Sequence, residues 1–333
     1  MAIKIIAELA QGFEGNVEQA RLLMKAAANA GASAAKYQMV YADELATPDY
    51  EHYHLFKSLE MPIDAWQDLV NLALDLEIEL QLDIFGIRSL HLSEQIGVKT
   101  IKLHGTDIAN IGLLHEVAKS SIEKVLLGAG GAYLAELDRA LEILSNKRVI
   151  VLLGFQGYPT ITPDNQISRV ALLVNRFKSS SQDVAVGFAD HAEQNSPLSY
   201  ALAAAAIGAG ATTLEKDLTL GRVMKLEDHE SSLNPDEFLE FTQTIQGCYS
   251  AMGISSLVED FGMSIGEQEY RKKIRRHVVA SRNLEIGTVI GPNDLVLKRT
   301  SADKPVTDIS TIYKRLLKMP VTENLPITLA HLD

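Results

Sequence analysis

The most constraining feature of this chain is a strand–helix–strand unit with polar groups at the carboxyl end of each strand. Val184-Ala185-Val186-Gly187-Phe188-Ala189 runs mostly apolar and then ends in Asp190-His191. Thr212-Thr213-Leu214-Glu215-Lys216-Asp217 repeats the pattern, and an alanine-rich helical run, residues 199–210, lies between them. In a parallel barrel the carboxyl ends of all strands gather on one rim, and that rim carries the chemistry. A chain built of such units is strongly restricted in what it can become.

The remaining alternations repeat this unit. Strand patterns are read at residues 4–10, 34–39, 79–85, 100–105, 124–130 and 149–155. Helical patterns fill the intervals. In residues 16–31, Ala20, Leu23, Met24 and Ala27 share one face and Gly31 ends the run. Pro62 opens another helix, and Asn234-Pro235 supplies a cap and first position for the last. Eight alternations over about 250 residues are the size of a (β/α)8 TIM barrel. A doubly wound open sheet is the competing architecture. The barrel is preferred because every strand carries its polar residue at the same end. Gly12 and Gly15 after the first strand make only a weak nucleotide fingerprint.

The expected domains are a barrel over residues 1–255, a linker over 256–272 and a small β-rich domain over 273–333. The linker reading rests on Gly, Ser and acidic residues. The basic run 271–276 then reads as a solvated face. The tail has short β-like runs at 277–281 and 295–299, with turns at Gly287 and Gly291-Pro292. So small a domain is marginal alone, and it is expected to lean on the barrel or on a second subunit.

A net charge of −12 disfavours nucleic acid or an anionic membrane surface as partner. No apolar run is long enough for a membrane helix. The acid at Glu8 comes too early for a signal peptide. Cys248 is the single cysteine, so no internal disulfide can form. A cytoplasmic protein is expected.

The pieces Ile6-Ala7-Glu8, Ala35-Lys36-Tyr37-Gln38, Ile101-Lys102, Tyr158-Pro159-Thr160, Gly187-Phe188-Ala189-Asp190-His191, Leu214-Glu215-Lys216 and Ser231-Ser232-Leu233-Asn234-Pro235 occur in order. Together with Asn283-Leu284-Glu285-Ile286-Gly287 and Leu297-Lys298-Arg299, they make the chain resemble the sialic acid synthase (N-acetylneuraminate synthase) family over nearly its whole length. The resemblance implies a TIM barrel followed by an antifreeze-like (SAF) domain. It implies an enzyme that condenses phosphoenolpyruvate with an N-acyl sugar to a 3-deoxy-2-keto acid, in polysaccharide biosynthesis. It implies Glu8, Lys36, Lys102, Tyr158 and Asp107 as catalytic residues, and Lys124, Gln156, Asp83 and Arg299 as substrate-binding ones. His191 and Asp217 would hold a divalent metal (Mn2+ or Mg2+, with Zn2+ as an option), and Arg299 would reach the sugar from the other subunit of a domain-swapped homodimer.

Departures from the family pattern bear on the donor. Its Asn-His pair after the first strand is Gly12-Phe13 here, its threonine after the third strand is Asp83, and its second metal histidine is Asp217. Its serines after strands four, five and seven are Gly105, Ala129 and Ala189. Hydroxyl donors that suit a phosphate are thus lost, while a carboxylate remains a good hard-metal ligand. Two further readings stay open: a metal-dependent aldolase or lyase acting on an unphosphorylated keto acid, and a degenerate homologue that only binds. Residue by residue, Glu8, Lys36 and Lys102 could be structural ion-pair partners. His104 could be a filler, and Asp190 and Glu215 rival Asp217 as ligands.

Overall fold

The computed structural model describes residues 3–154, 157–193, 198–253 and 259–333. Gln156 lies outside them. The chain divides into two compact units, 1–253 and 254–333.

The first unit is a closed barrel of eight parallel strands in chain order. They are β1 (Lys4–Ala10), β2 (Ala34–Gln38), β3 (Glu79–Ile84), β4 (Thr100–Leu103), β5 (Lys124–Gly128), β6 (Arg148–Leu153), β7 (Val184–Asp190) and β8 (Thr213–Asp217). The open-sheet alternative fails because β1 pairs with β8 as well as with β2, so the sheet has no edge. A helix follows each strand and covers the outside. The helix Val17–Asn29 begins where Asn16 accepts a hydrogen bond from the Gln19 amide at 3.1 Å, and it buries Ala20, Leu23, Met24 and Ala27. The helix Ser199–Gly208 buries only small residues and Ile207, which lets it lie close to the sheet.

Strand periodicity does the rest. Side chains two apart share a face, so Ile6, Ala34, Leu126, Ile150 and Leu152 form a separate apolar cluster inside the barrel. One step further along their strands, Glu8 and Lys36 share that interior face. Facing outward, Tyr37 packs edge-to-face with Phe13 and Trp66, at ring separations of 6.0 and 6.1 Å. Phe13, where the family pattern has a polar side chain, is therefore core filling beneath the helices.

Between β2 and the helix that Pro62 opens lie two short helices, Ala42–Leu45 and Tyr53–Ser58. A helix, Ile265–Ile274, fills the later part of the expected linker and runs past its expected end at 272. Ser264 caps it through the Glu267 amide, and Arg271, Lys272 and Lys273 fall in its last turn, where cations suit the helix dipole. The basic run is thus part of a helix end. Within the second unit an antiparallel pair, β9 (His277–Ala280) and β10 (Leu295–Lys298), sits over a core that includes Val278, Leu284, Ile290, Ile312, Leu317 and Ile327. No helix among the described residues is long and apolar enough to cross a membrane.

Candidate active site

Register brings the acids and lysines together. Glu8 on β1 stands beside Lys36 on β2 and Asp217 on β8, and Asp83 on β3 stands beside Lys102 on β4. All are buried. Lys36 Nζ bonds Glu8, lies 3.0 Å from Asp83 Oδ1 and 3.5 Å from Glu215. Lys102 Nζ lies 2.7 Å from Glu215, 3.6 Å from Glu8 and 3.7 Å from Asp83 Oδ2. Two ammonium groups thus share three carboxylates. Charges this deep persist only when paired in this way.

Glu8 is aimed by a local irregularity. The pairing of β1 with β2 slips between Glu8 and Ala10. Ala10 adopts a left-handed φ of 44° and donates its N–H to Glu8 Oε1 at 2.9 Å. Bulges that re-aim a side chain recur beside active sites.

The electrostatics separate the carboxyls. Burial pushes Glu8 above the usual carboxylate value, against the pull of Lys36. Burial also opposes ionisation of Glu215, but Lys102 and Lys36 outweigh it and hold that carboxyl down at about 2. For Lys102, burial is overcome by Asp83 and Glu215, which raise it well above its ordinary value. His104, at the exit of β4, is lowered to about 4 by burial and by the two lysines, so it is neutral at pH 7.

A second group lies at the exits of β7 and β8. The Thr160 amide donates to the His191 carbonyl at 2.8 Å, which lays the 158–160 segment along β7. The Tyr158 ring then stands 4.7 Å from the His191 ring. Burial, then the Asp217 and Asp228 carboxylates, raise the Tyr158 hydroxyl. The loop after β8 folds back so that Ser231 donates to Asp217 Oδ2 at 2.6 Å. Burial raises the Asp217 carboxyl, and His191 pulls it down. Burial and Asp217 push Asp228 up to about 8.

The three candidate ligands differ in their partners. Glu215 is held by the lysines. Asp190 accepts from the Ala192 amide at 2.9 Å and pairs with Lys216 at 3.6 Å. One oxygen of each (Asp217 Oδ1, Asp190 Oδ2 and Glu215 Oε2) is buried without a hydrogen-bond partner. Asp217 and His191, at the exits of β8 and β7, are residue types that could hold Mn2+, Mg2+ or Zn2+. Among the described residues, no three His, Cys, Asp or Glu side chains gather as a metal cage.

Other expected residues lie elsewhere. Lys124 opens β5 at the opposite, amino-terminal end of the barrel, and pairs with Glu79 at 3.2 Å. A residue that begins a parallel strand cannot reach the catalytic rim, so Lys124 is no countercharge for the cluster. Asp107, on the short 3-10 segment Gly105–Asp107, accepts from Asn110 at 3.0 Å and so serves its own loop. Arg299 is an exposed residue of the second unit, just past β10.

Glu215 was expected only as a rival metal ligand, not as a partner of the lysines, and Asp228 was not expected at the site. Glu215 had a signal, since it is two residues from Asp217 on one strand face. Asp228 had none, because it sits in an irregular loop.

A closed parallel barrel with a lysine–carboxylate cluster at its carboxyl-terminal rim is an enzyme of the (β/α)8 class. Residues 23–256 match the NeuB family and residues 275–333 the SAF domain. The chain belongs to the NeuB family. The N,N'-diacetyllegionaminic acid synthase of Legionella pneumophila is 25% identical, covering 100% of this chain and 95% of its own. That of Campylobacter jejuni is 26% identical, covering 96% of each. The crystal structure of the N-acetylneuraminic acid synthetase of Leptospira borgpetersenii superposes with a TM-score of 0.73 at 25% identity, covering 82% of this chain and 93% of that one.

Proposed function

We propose that this NeuB-family barrel condenses a three-carbon enol donor with the aldehyde of an N-acyl sugar or sugar-like acceptor, giving a 3-deoxy-2-keto (nonulosonic-type) acid for polysaccharide biosynthesis. The family and the names of its synthase relatives support this reading. The observation that carries it is the convergence of Glu8, Lys36, Lys102 and Glu215 on one rim.

With phosphoenolpyruvate as donor, a bond forms between its C3 and the aldehyde carbon, water adds at C2, and inorganic phosphate leaves. Lys36 and Lys102 neutralise anionic groups of the donor. Glu8, whose carboxyl is raised, moves a proton beside the reacting carbons. Tyr158 lines the acceptor side. His191 and Asp217 are the residues that would hold a divalent cation, which polarises a carbonyl and orients water when bound. Arg299, supplied by a domain-swapped partner, would contact the acceptor. The chain works as a cytoplasmic enzyme on small molecules.

The test is phosphate release from phosphoenolpyruvate in the presence of N-acylated hexosamines and Mn2+. Product with a new 2-keto acid carbon chain supports the reading. No keto acid from any three-carbon donor overturns it.

A further inference from the structure

We infer that Asp190 and Lys216 are positioning residues for His191: together they hold the backbone of Ala192, and so fix the direction in which the imidazole enters the site. This rests on reading His191 as a working residue of that site.

The pair lies on the other side of the barrel wall from the chemistry. On β8, Lys216 falls between Glu215 and Asp217. Side chains alternate along a strand, so Lys216 leaves the face that those two acids share. Asp190 is its direct neighbour across β7 and β8. Both are fully buried, and Lys216 Nζ lies 3.6 Å from Asp190 Oδ1.

Their remaining contacts converge on one residue. Asp190 Oδ1 accepts from the Ala192 amide at 2.9 Å, and Lys216 Nζ donates to the Ala192 carbonyl at 3.0 Å. Both backbone polar groups of Ala192 are thus taken by the two partners of a single ion pair. From the other side, the Thr160 amide donates to the His191 carbonyl at 2.8 Å. The peptide that joins His191 to Ala192 is therefore held at its oxygen and at its nitrogen. A peptide is planar, so fixing both ends fixes the last soft backbone angle of His191. The imidazole then stands with its ring 4.7 Å from that of Tyr158.

Packing alone does not require this arrangement. Buried ion pairs replaced by apolar residues of similar volume often leave stability unchanged or raised. An apolar pair would fill the same space, but it could not bond the Ala192 N–H and C=O. Buried backbone groups deprived of partners are costly, and the chain after β7 shifts to reach others. A displacement of about 1 Å at a working group is enough to cost on the order of 100-fold in rate.

The experiment compares wild type with Lys216→Met and with the double variant Asp190→Asn, Lys216→Met, all as the full chain. The double variant removes both charges together and leaves no unpaired ion in the interior, so it is expected to fold even where the single variant does not. Crystal structures of the variants are expected to show β7 and β8 in place and the His191 ring moved by about 1 Å or more from its position beside Tyr158. Turnover of phosphoenolpyruvate and an N-acylated hexosamine with Mn2+ is measured where circular dichroism shows each protein folded. There kcat is expected to fall at least about tenfold, with KM for phosphoenolpyruvate changed by less than about threefold. An unmoved ring, or full kcat in a folded variant, overturns the inference, and a lowered melting temperature with both intact means that the pair serves stability alone. If neither variant folds, the pair is needed for the fold itself, and a role in positioning is likewise overturned. A wild type that forms no keto acid defeats the functional reading instead, and the ring positions then decide the role of the pair.

Discussion

Lys102 and Glu215 are 113 residues apart in the chain, yet the lysine donates to the carboxylate at 2.7 Å across the barrel. Each is buried and each depends on the other for its charge. This contact couples the fourth strand to the eighth, and so ties catalytic geometry to closure of the barrel.

Lys102→Ala is expected to abolish turnover and to lower stability. Removing one partner of a buried ion pair costs about 3–5 kcal/mol. For a barrel of this size that lowers the melting temperature on the order of 10 °C. Activity assayed well below the new melting point separates the two effects. Normal turnover there defeats the catalytic role.

Glu8→Gln keeps the size of the side chain and removes its proton transfer. Turnover is expected to fall by about 10²- to 10⁴-fold, the usual worth of a positioned acid or base. Steady-state rates with the fold verified decide this. A loss confined to KM would place Glu8 in binding alone.

Mn2+ is expected to raise the melting temperature of wild type, and much less so in Asp217→Asn or His191→Ala. A ligand that binds only the folded state stabilises it in proportion to the logarithm of its concentration over Kd. Equal shifts in all three proteins would locate the cation elsewhere.

Asp228 links stability to pH. Its carboxyl moves from an ordinary 3.8 to about 8, chiefly through burial and then Asp217. Between those values the folded chain holds a proton that the unfolded chain has released, so this group's contribution declines as pH rises from about 4 to 8. Asp228→Asn removes the dependence. Its melting temperature relative to wild type is expected to climb from pH 5 to pH 8, and a flat difference would contradict the assignment.

Lys124→Ala is expected to leave turnover unchanged and to cost no more than about 1 kcal/mol, as for a partly exposed pair. A large kinetic defect would mean that the amino-terminal end of the barrel communicates with the rim.

Much of the architecture could be read from local patterns. Apolar strand patterns marked all eight strands, and 3.6-residue spacing marked the longer barrel helices but not the short Ala42–Leu45 and Tyr53–Ser58, because each pattern depends on neighbours two to four positions away. Chain order and strand polarity then placed Glu8, Lys36, Lys102, His191 and Asp217 on one rim. The same logic, applied to strand ends, shows why Lys124 lies at the other end. The helix at Ile265–Ile274 was hidden by its polar composition, which offers no apolar stripe to recognise.

What the amino-acid order determined by itself is the repeating unit and which strand end carries polar groups, since both follow from side-chain period and short-range sterics. What only the tertiary structure decided is the division of charge: Lys36 and Lys102 each shared among β1, β3 and β8, Asp190 drawn to Lys216, and Asp217 left with an unbonded oxygen. Pairings of that kind depend on distances closed by the whole cylinder, and no local period encodes them.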